Sequence, residues 1–265
     1  MEFTFSHAIF LGIVQGLSEF LPISSSGHLV LVPWLFRFSD PGLAFDVALH
    51  MGTLIAVVSY FWRDWFNIFR LRTDMQEYND NTRILWLLVA ATIPGVLAGL
   101  LLEKQAETVF RHPLLIAFTL SSVGLILFLT DKYFSHRKHF HDITIRDALF
   151  IGACQAFAIV PGVSRSGATI IAGLLRGLDR VTAARFSFLL STPIIFGASL
   201  FTVRDLLQEG ITGTIVIGTA AAAVSGYIAI ASLLRFVKRS NYAVFFWYRL
   251  AVAIVIGAVF VARFL

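Results

Sequence analysis

The stretch QGLSEFLPISSSGH, residues 15–28, lies between two apolar runs and carries a carboxylate, three consecutive hydroxyls, a glycine and an imidazole. Hydrocarbon offers no hydrogen-bond partners, so each of these groups must be bonded within the protein or face an aqueous cavity. Polar chemistry at membrane depth indicates a functional site by default. Pro22 and the serine run also interrupt any helix that passes through this stretch.

Composition places the chain among polytopic membrane proteins. Of its 265 residues 57% are hydrophobic and only 14% are charged, and the mean hydropathy is +0.80. Soluble domains carry about 25% charged residues. The net charge of +5 comes mostly from basic residues between apolar runs, so it indicates membrane orientation and no nucleic-acid partner. We expect one membrane domain over residues 1–265.

Six apolar stretches have the ~20 residues that a helix needs to cross the hydrocarbon. They run at about 46–62, 84–102, 113–130, 184–203, 212–234 and 243–262. Residues 4–37 and 147–178 are also apolar but are interrupted, and each half is too short to span. The sequence therefore predicts an all-α polytopic membrane fold with two re-entrant helix–loop–helix hairpins that enter and leave on the same side.

The two interrupted regions resemble each other at a fixed offset of 140 residues. This offset superposes Gly12 on Gly152, Gln15 on Gln155, Ser24 on Ser164, Ser26 on Ser166 and Gly27 on Gly167. Chance similarity between apolar segments is the alternative to a duplication. A duplication gives repeat 1 (about 1–130) and repeat 2 (about 147–265), each with one hairpin and three transmembrane helices. Because three is odd, the second copy is inverted, as in many transporters.

The basic residues predict the orientation. Segments 63–83, 131–146, 176–185 and 235–242 fall on one side and hold fourteen Lys and Arg residues, whereas the other side holds five. The positive-inside rule makes the first side cytoplasmic. Both termini then face outward, the first hairpin enters from outside and the second from the cytoplasm, and their tips can meet near the midplane.

The second hairpin predicts an anion site. Arg165 follows the helix-breaking pair Pro161-Gly162, and a lone charge at the bilayer centre costs at least ~2.5–3.5 kcal/mol. A guanidinium, hydroxyls and glycine-exposed N–H groups suit an anion with several oxygens, such as phosphate. The alternative is a structural ion pair between Arg165 and Glu19, with serines that only cap the broken helices.

The first hairpin supplies a nucleophile and groups that move protons. A serine beside His28 or Glu19 is the arrangement of an activated nucleophile, and Ser25 is our candidate. Glu19 can act as a base or bind a divalent cation; Gln15, four residues earlier on the same helix face, can only coordinate weakly. We expect substrate contacts from Ser24, Ser26, Gly27, Ser164, Ser166, Gly167 and Thr169.

Three further polar residues lie in or next to the apolar stretches. Arg249, in the last apolar stretch, either contacts the site or has a snorkelling or carbonyl-bonded role. Asp46 opens a span and is interpreted as an interfacial or capping residue. His50 is interpreted as a buried, hydrogen-bonded histidine.

Residues 15–28 match the pattern [E/Q]-x-x-x-E followed by L-P-x-S-S-x-G-H, and residues 161–169 match P-G-x-S-R-S-x-x-T. Together they resemble the undecaprenyl-diphosphate phosphatases, the bacitracin-resistance family of bacterial cell membranes. The resemblance covers essentially the whole chain. It places Glu19, Ser25, His28 and Arg165 on the family's catalytic positions. Gln15 stands where many members have glutamate, which puts a two-carboxylate metal site in doubt.

The resemblance implies hydrolysis of undecaprenyl diphosphate to undecaprenyl phosphate and phosphate, which recycles the lipid carrier of peptidoglycan synthesis. It also implies a divalent cation (Mg²⁺ or Ca²⁺), a site open to the outer face, and bacitracin as a competitor for the lipid substrate. Two alternative functions stay open, a lipid-phosphate transporter or flippase and a non-catalytic lipid-binding scaffold. A homodimer is also possible. Ser25 either attacks phosphorus or orients a water, and we expect it to face Arg165 across a shared cavity.

Overall fold

Helices make up the fold in the computed structural model, which describes residues 3–69, 75–107, 109–135 and 137–264. Within these ranges the α-helices are α1 (Phe5–Phe20), α2 (Ser25–Phe36), α3 (Leu43–Tyr60), α4 (Trp62–Phe69), α5 (Met75–Glu107), α6 (Pro113–Tyr133), α7 (Ile145–Ala156), α8 (Arg165–Leu175), α9 (Arg180–Glu209), α10 (Gly213–Val237) and α11 (Ala243–Phe264). The described residues show no strand, only an isolated bridge between Lys138 and Leu178. The all-α prediction is confirmed.

The first interrupted region folds as two short helices. α1 has 16 residues and α2 has 12, so at 1.5 Å per residue neither covers the ~30 Å of hydrocarbon. The chain becomes extended at Leu21, just before Pro22, and α1 ends there. Ser24 restarts the helix, since its Oγ accepts the Gly27 N–H as an N-cap.

The second interrupted region repeats this local structure. α7 is followed by a 3₁₀ turn at Phe157–Ile159, and α8 starts only after Pro161-Gly162. Ser164 caps α8 as Ser24 caps α2, with its Oγ accepting the Gly167 N–H. The two serines have φ values of 75° and 77°, which non-glycine residues seldom adopt. The same unusual turn thus recurs 140 residues later, and the helix–break–helix pattern is confirmed at both places.

The long helices match the predicted spans. Among the described residues, α6, α10, α11 and the parts Thr82–Leu102 of α5 and Arg180–Leu200 of α9 are long and apolar enough to cross a membrane. α3 with α4 gives a sixth span when this pair, bent by 72°, is counted as one. This set of helices is that of a multi-pass membrane protein.

The segment between the first two spans has more structure than expected. The sequence predicts a connection over 63–83, but α4 occupies Trp62–Phe69 and α5 begins at Met75 rather than near residue 84. The sequence WRDWFNIF mixes Trp, Phe and Ile with Arg, Asp and Asn, which gives an amphipathic helix suited to a membrane interface. Since helix formation needs no lipid contact, α5 continues through polar residues beyond its apolar part.

Each hairpin is held by a glycine-mediated helix contact. α1 packs on α10, and a Cβ at Gly16 would lie 2.0 Å from Ser225 Oγ and 2.5 Å from the Ala222 carbonyl oxygen. α7 packs on α5, where a Cβ at Gly152 would lie 2.4 Å from the Ala91 carbonyl oxygen. Small residues let two backbones approach closely, which is the usual basis of helix packing in membranes. These contacts fix the helix that delivers each loop.

Gly16→Ala should therefore lower the thermal unfolding midpoint in detergent, because overpacking of this kind costs about 1–3 kcal/mol. Gly99→Ala is the matched control, since a Cβ at Gly99 in α5 meets no atom within 4 Å. Equal midpoints for the two variants, measured by thermal-shift fluorescence, would contradict the close approach of α1 to α10.

Candidate active site

Glu19 is the centre of the site. It lies in the last turn of α1 and is only 6% exposed. One carboxylate oxygen accepts the Ser25 hydroxyl at 2.6 Å, and the other accepts Nη2 of Arg165 at 2.7 Å. The structure thus brings Ser25 and Arg165, from different hairpins, onto one carboxylate. The contact between Glu19 and Arg165 is also the ion pair that the sequence offers as the structural alternative to an anion site.

Gln15 lies one turn before Glu19 and faces the same way. Its Nε2 donates to Glu19 Oε2 at 3.1 Å, and the residue is fully buried. Gln15 Oε1 has no hydrogen-bond partner among the described residues, although buried polar atoms are normally bonded. A buried oxygen beside a carboxylate is a suitable ligand for a hard cation.

Arg165 is held from two sides. It is the first residue of α8, and besides Glu19 it bonds the Ser187 carbonyl oxygen through Nη1 at 3.0 Å. Thr169, one turn later, is 1% exposed; its hydroxyl contacts the Arg165 carbonyl oxygen and Ser187 Oγ at 2.9 and 2.7 Å. The structure therefore places Thr169 behind Arg165, where it anchors the start of α8 to α9.

The buried serines tie the hairpins to each other. Ser24 Oγ accepts the Gly162 N–H at 3.0 Å, and Ser166 Oγ donates to the Leu21 carbonyl oxygen at 3.1 Å. In both bonds the second hairpin donates and the first accepts, once through the serine of each hairpin. Ser164 bonds within its own hairpin, with Ser166 at 3.1 Å. The hydroxyls of these three predicted substrate-binding residues are thus committed to the protein itself.

The starts of α2 and α8 offer backbone donors for an anion. The first N–H groups of a helix have no partner within the helix. Ser24 and Ser164 cap the N–H groups of Gly27 and Gly167, so the N–H groups of Ser25, Ser26, Arg165 and Ser166 have no acceptor in the described part of the chain. Two positive helix ends meeting at one place favour phosphate binding.

His28 is turned away from Ser25. Its Nδ1 lies 2.7 Å from the Ser24 carbonyl oxygen, which can only accept, so Nδ1 carries a proton. Its Nε2 lies 2.8 Å from the Tyr248 hydroxyl of α11, and the two rings stack at 5.7 Å. Both ring nitrogens are therefore occupied, and the base within hydrogen-bond reach of Ser25 is Glu19.

The structure adds His50 to the site. Its Nε2 lies 3.6 Å from Glu19 Oε2, while its Nδ1 donates to the Asp46 carbonyl oxygen at 2.8 Å. The expected hydrogen bond is present, but the side chain is 32% exposed rather than buried, and it faces the carboxylate. Nothing in the spacing of the sequence links α3 to the end of α1. The Asp46 side chain lies 4.0 Å from Arg111, which agrees with an interfacial role.

Arg249 takes the carbonyl-bonded role of the two alternatives. It is fully buried in α11, and its recorded partners among the described residues are backbone carbonyl oxygens. All three guanidinium nitrogens are thus bonded to the protein's own backbone, Nε to Leu120, Nη1 to Pro22 and Nη2 to the second loop.

Comparison with known proteins places nearly the whole chain in one family. The family model described as bacitracin resistance protein BacA matches residues 8–255. A protein named undecaprenyl-diphosphatase from Moorella thermoacetica is 51% identical over 98% of this chain and 99% of its own length. Proteins of the same name from Pelotomaculum thermopropionicum and Desulforudis audaxviator are 48% and 49% identical, over 98% and 96% of this chain and 98% and 97% of their own lengths. The chain therefore belongs to the bacitracin resistance protein BacA family.

Proposed function

We propose that this protein is an integral membrane phosphatase that hydrolyses undecaprenyl diphosphate to undecaprenyl phosphate and phosphate. In this role it recycles the lipid carrier of peptidoglycan synthesis in the bacterial cell membrane and confers resistance to bacitracin. The observation that carries the proposal is the Glu19 carboxylate, which holds Ser25 and Arg165 together. The relatives are named as diphosphatases, and no comparison supports the transporter alternative.

Ser25 is the nucleophile of the proposed reaction. Its hydroxyl already donates to Glu19, so the carboxylate can accept the proton as the oxygen attacks the terminal phosphorus. The P–O bond to the bridging oxygen breaks, and undecaprenyl phosphate leaves. Water then hydrolyses the phosphoserine and releases phosphate. In the other route that the residues allow, Ser25 orients a water that attacks directly.

Charge stabilisation comes from the second hairpin. Arg165 can exchange one of its present acceptors for a phosphate oxygen, because a guanidinium has five N–H donors. The N–H groups at the starts of α2 and α8 add donors that need no rearrangement. Arg165 thus pairs with Glu19 in this structure and would also bind phosphate during the proposed reaction. His28 stays the second proton carrier of the proposal, with its Nε2 coupled to Tyr248.

Glu19 and Gln15 are the residues that would hold a divalent cation beside the substrate. The described residues contain no group of three or more His, Cys, Asp or Glu side chains that could hold a metal. The Glu19 carboxylate and the unbonded Gln15 Oε1 would be the ligands that the protein supplies, and phosphate oxygens would add further ligands. The cation, Mg²⁺ or Ca²⁺, would neutralise charge that develops on the diphosphate.

The architecture that we propose is one domain of two inverted repeats, residues 1–130 and 147–265, each with a re-entrant hairpin and three spans. The positive φ at both Ser24 and Ser164 and the paired contacts of α1 with α10 and α7 with α5 support it. With fourteen basic residues on the cytoplasmic side, both termini and the site face outward. Bacitracin would then compete there for the diphosphate lipid. A homodimer stays a prediction.

Ser25→Ala, Glu19→Gln and Arg165→Lys should each reduce phosphate release from a polyprenyl diphosphate by about 10²–10⁴-fold in purified protein, because each removes the nucleophile, the base or a bidentate anion donor. Ser59→Ala is the matched serine control, since Ser59 is exposed on α3 and its hydroxyl donates to the Ala56 carbonyl oxygen. Wild-type turnover in all three site variants would refute the assignment.

Loss of folding must be separated from loss of chemistry, because removal of one partner of a buried ion pair is itself destabilising. The double variant Glu19→Gln with Arg165→Gln removes both charges; it should recover much of the thermal stability and none of the activity. Acid-quenched wild type with a labelled terminal phosphate should carry label on Ser25. Absence of label would favour the water route.

Gln15→Glu should lower the Mg²⁺ concentration needed for half-maximal activity by roughly tenfold, because it places a second carboxylate beside Glu19. A metal titration of phosphate release by wild type and variant measures this. An unchanged or higher Mg²⁺ requirement would mean that the cation, if used, is bound elsewhere.

A cysteine introduced as Met75→Cys, with Cys154→Ser to remove the only native thiol, should react with an impermeant reagent only after the cells are opened. Ile211→Cys, in the connection between α9 and α10, should react in intact cells and is the matched control. The opposite labelling pattern would overturn the orientation.

A further inference from the structure

Arg249 is the largest fully buried side chain of the described residues, and the proposed reaction does not use it. It lies in the first third of α11, between two apolar stretches that suit lipid or core contacts. A buried arginine in a membrane segment is costly unless every N–H group is bonded. Its partners therefore indicate what it is there to do.

Those partners come from both hairpin loops. Nη1 donates to the Pro22 carbonyl oxygen at 3.0 Å, in the first loop. Nη2 donates to the carbonyl oxygens of Gly162 and Val163 at 2.5 and 3.1 Å, in the second loop. Pro22 and Gly162 are equivalent under the 140-residue offset. One guanidinium thus donates hydrogen bonds to the carbonyl oxygen at the equivalent position of each loop.

A third attachment fixes the guanidinium to the scaffold. Nε donates to the Leu120 carbonyl oxygen of α6 at 2.8 Å, so the plane of the side chain cannot swing with either loop. Two glycines leave room for it. A Cβ at Gly124 would lie 3.3 Å from Arg249 Cδ, and one at Gly167 would lie 3.2 Å from Nη1. The site around Arg249 is closely packed.

Arginine is the side chain that can donate to carbonyl oxygens of both loops at once. The carbonyl groups at each break have lost their helical partners, and lipid offers no replacement. Guanidinium has a rigid planar fork of donors that can reach several acceptors in fixed directions, whereas a lysine ammonium is a single point on a flexible stem. A lysine could satisfy one loop, but it could not hold two at a set spacing.

The loops that Arg249 joins carry the reacting groups. Pro22 lies three residues before Ser25, and Val163 lies two residues before Arg165. Resting on the proposed phosphatase function, we propose that Arg249 is a positioning residue: it sets the spacing of the two loops and so the alignment of Ser25 with Arg165, without touching the substrate.

Arg249→Lys tests this by separating kcat from KM. With farnesyl diphosphate in detergent, kcat for phosphate release should fall about 10²-fold while KM changes by less than about threefold, since a misplacement near 1 Å costs that much in rate. Arg263→Lys is the matched control. Arg263 is also in α11 and also donates to carbonyl oxygens, of Trp34 and Leu35 at 2.8 and 2.9 Å, but these lie at the far end of α2. It should keep the wild-type kcat.

Gly124→Ala covers the case in which Arg249→Lys does not fold. It keeps the charge and pushes Arg249 by a few tenths of an ångström, so kcat should fall several-fold with an unchanged thermal midpoint. Gly257→Ala, also in α11 and with open space around its Cβ, should be neutral.

If the wild type is active, three outcomes would overturn the inference. The first is a raised KM with unchanged kcat in Arg249→Lys, and the second is an equal fall in kcat for Arg263→Lys. The third is wild-type kcat in both Arg249→Lys and Gly124→Ala. An inactive wild type, in contrast, would refute the proposed function. The two failures are therefore distinguishable.

Discussion

A helix broken inside hydrocarbon leaves carbonyl and N–H groups that no solvent can bond, and this constraint governs the whole structure. Hydrogen bonds between the two hairpins satisfy part of these groups. Ser24 takes an N–H of the second loop, and Ser166 gives its hydroxyl hydrogen to a carbonyl of the first. Arg249 bonds carbonyl oxygens in both. Neither break is satisfied alone, so the two loops must fold against each other before either is stable.

The charges follow the same logic. Glu19 and Arg165 are 6% and 11% exposed, and each would be expensive without the other. The contact that makes both charges tolerable also brings a serine hydroxyl and a guanidinium to the place where phosphate would bind. In the proposed reaction, stability and chemistry therefore depend on one ion pair. This explains why a structural interpretation of Glu19 and Arg165 and a catalytic one do not exclude each other.

Much of the site could be predicted from the sequence because its elements are local. Pro22, Pro161-Gly162 and the serines mark breaks and N-caps, and Ser24 and Ser164, which the 140-residue offset superposes, both have positive φ in the structure. The ion pair of Glu19 with Arg165, which the sequence offers as the structural alternative to an anion site, is present. These inferences needed only helix rules and the cost of charge in lipid.

The contributions of distant helices could not be predicted in this way. His50 reaches Glu19 from α3, Tyr248 reaches His28 from α11, and Arg249 reaches both loops, and no spacing in the sequence encodes these meetings. α4 was missed for another reason: eight residues are too few for a clear helical period, and its charges suggested a loop.

The differences between the two halves, rather than their likeness, create the site. Both halves keep the buried glutamine with an unbonded Oε1, Gln15 and Gln155. Only the first has a carboxylate one turn later, since Ile159 stands opposite Glu19, and arginine stands in the second half where the first has Ser25. Two identical loops would bring like groups together, two carboxylates or two guanidiniums, and these repel in a low dielectric. Because the two loops differ at these positions, they bring a serine hydroxyl and a guanidinium to a single carboxylate instead. Gln155, which bonds the Ala91 carbonyl oxygen at 3.4 Å, shows the purely structural role that a glutamine at this position has without a carboxylate beside it.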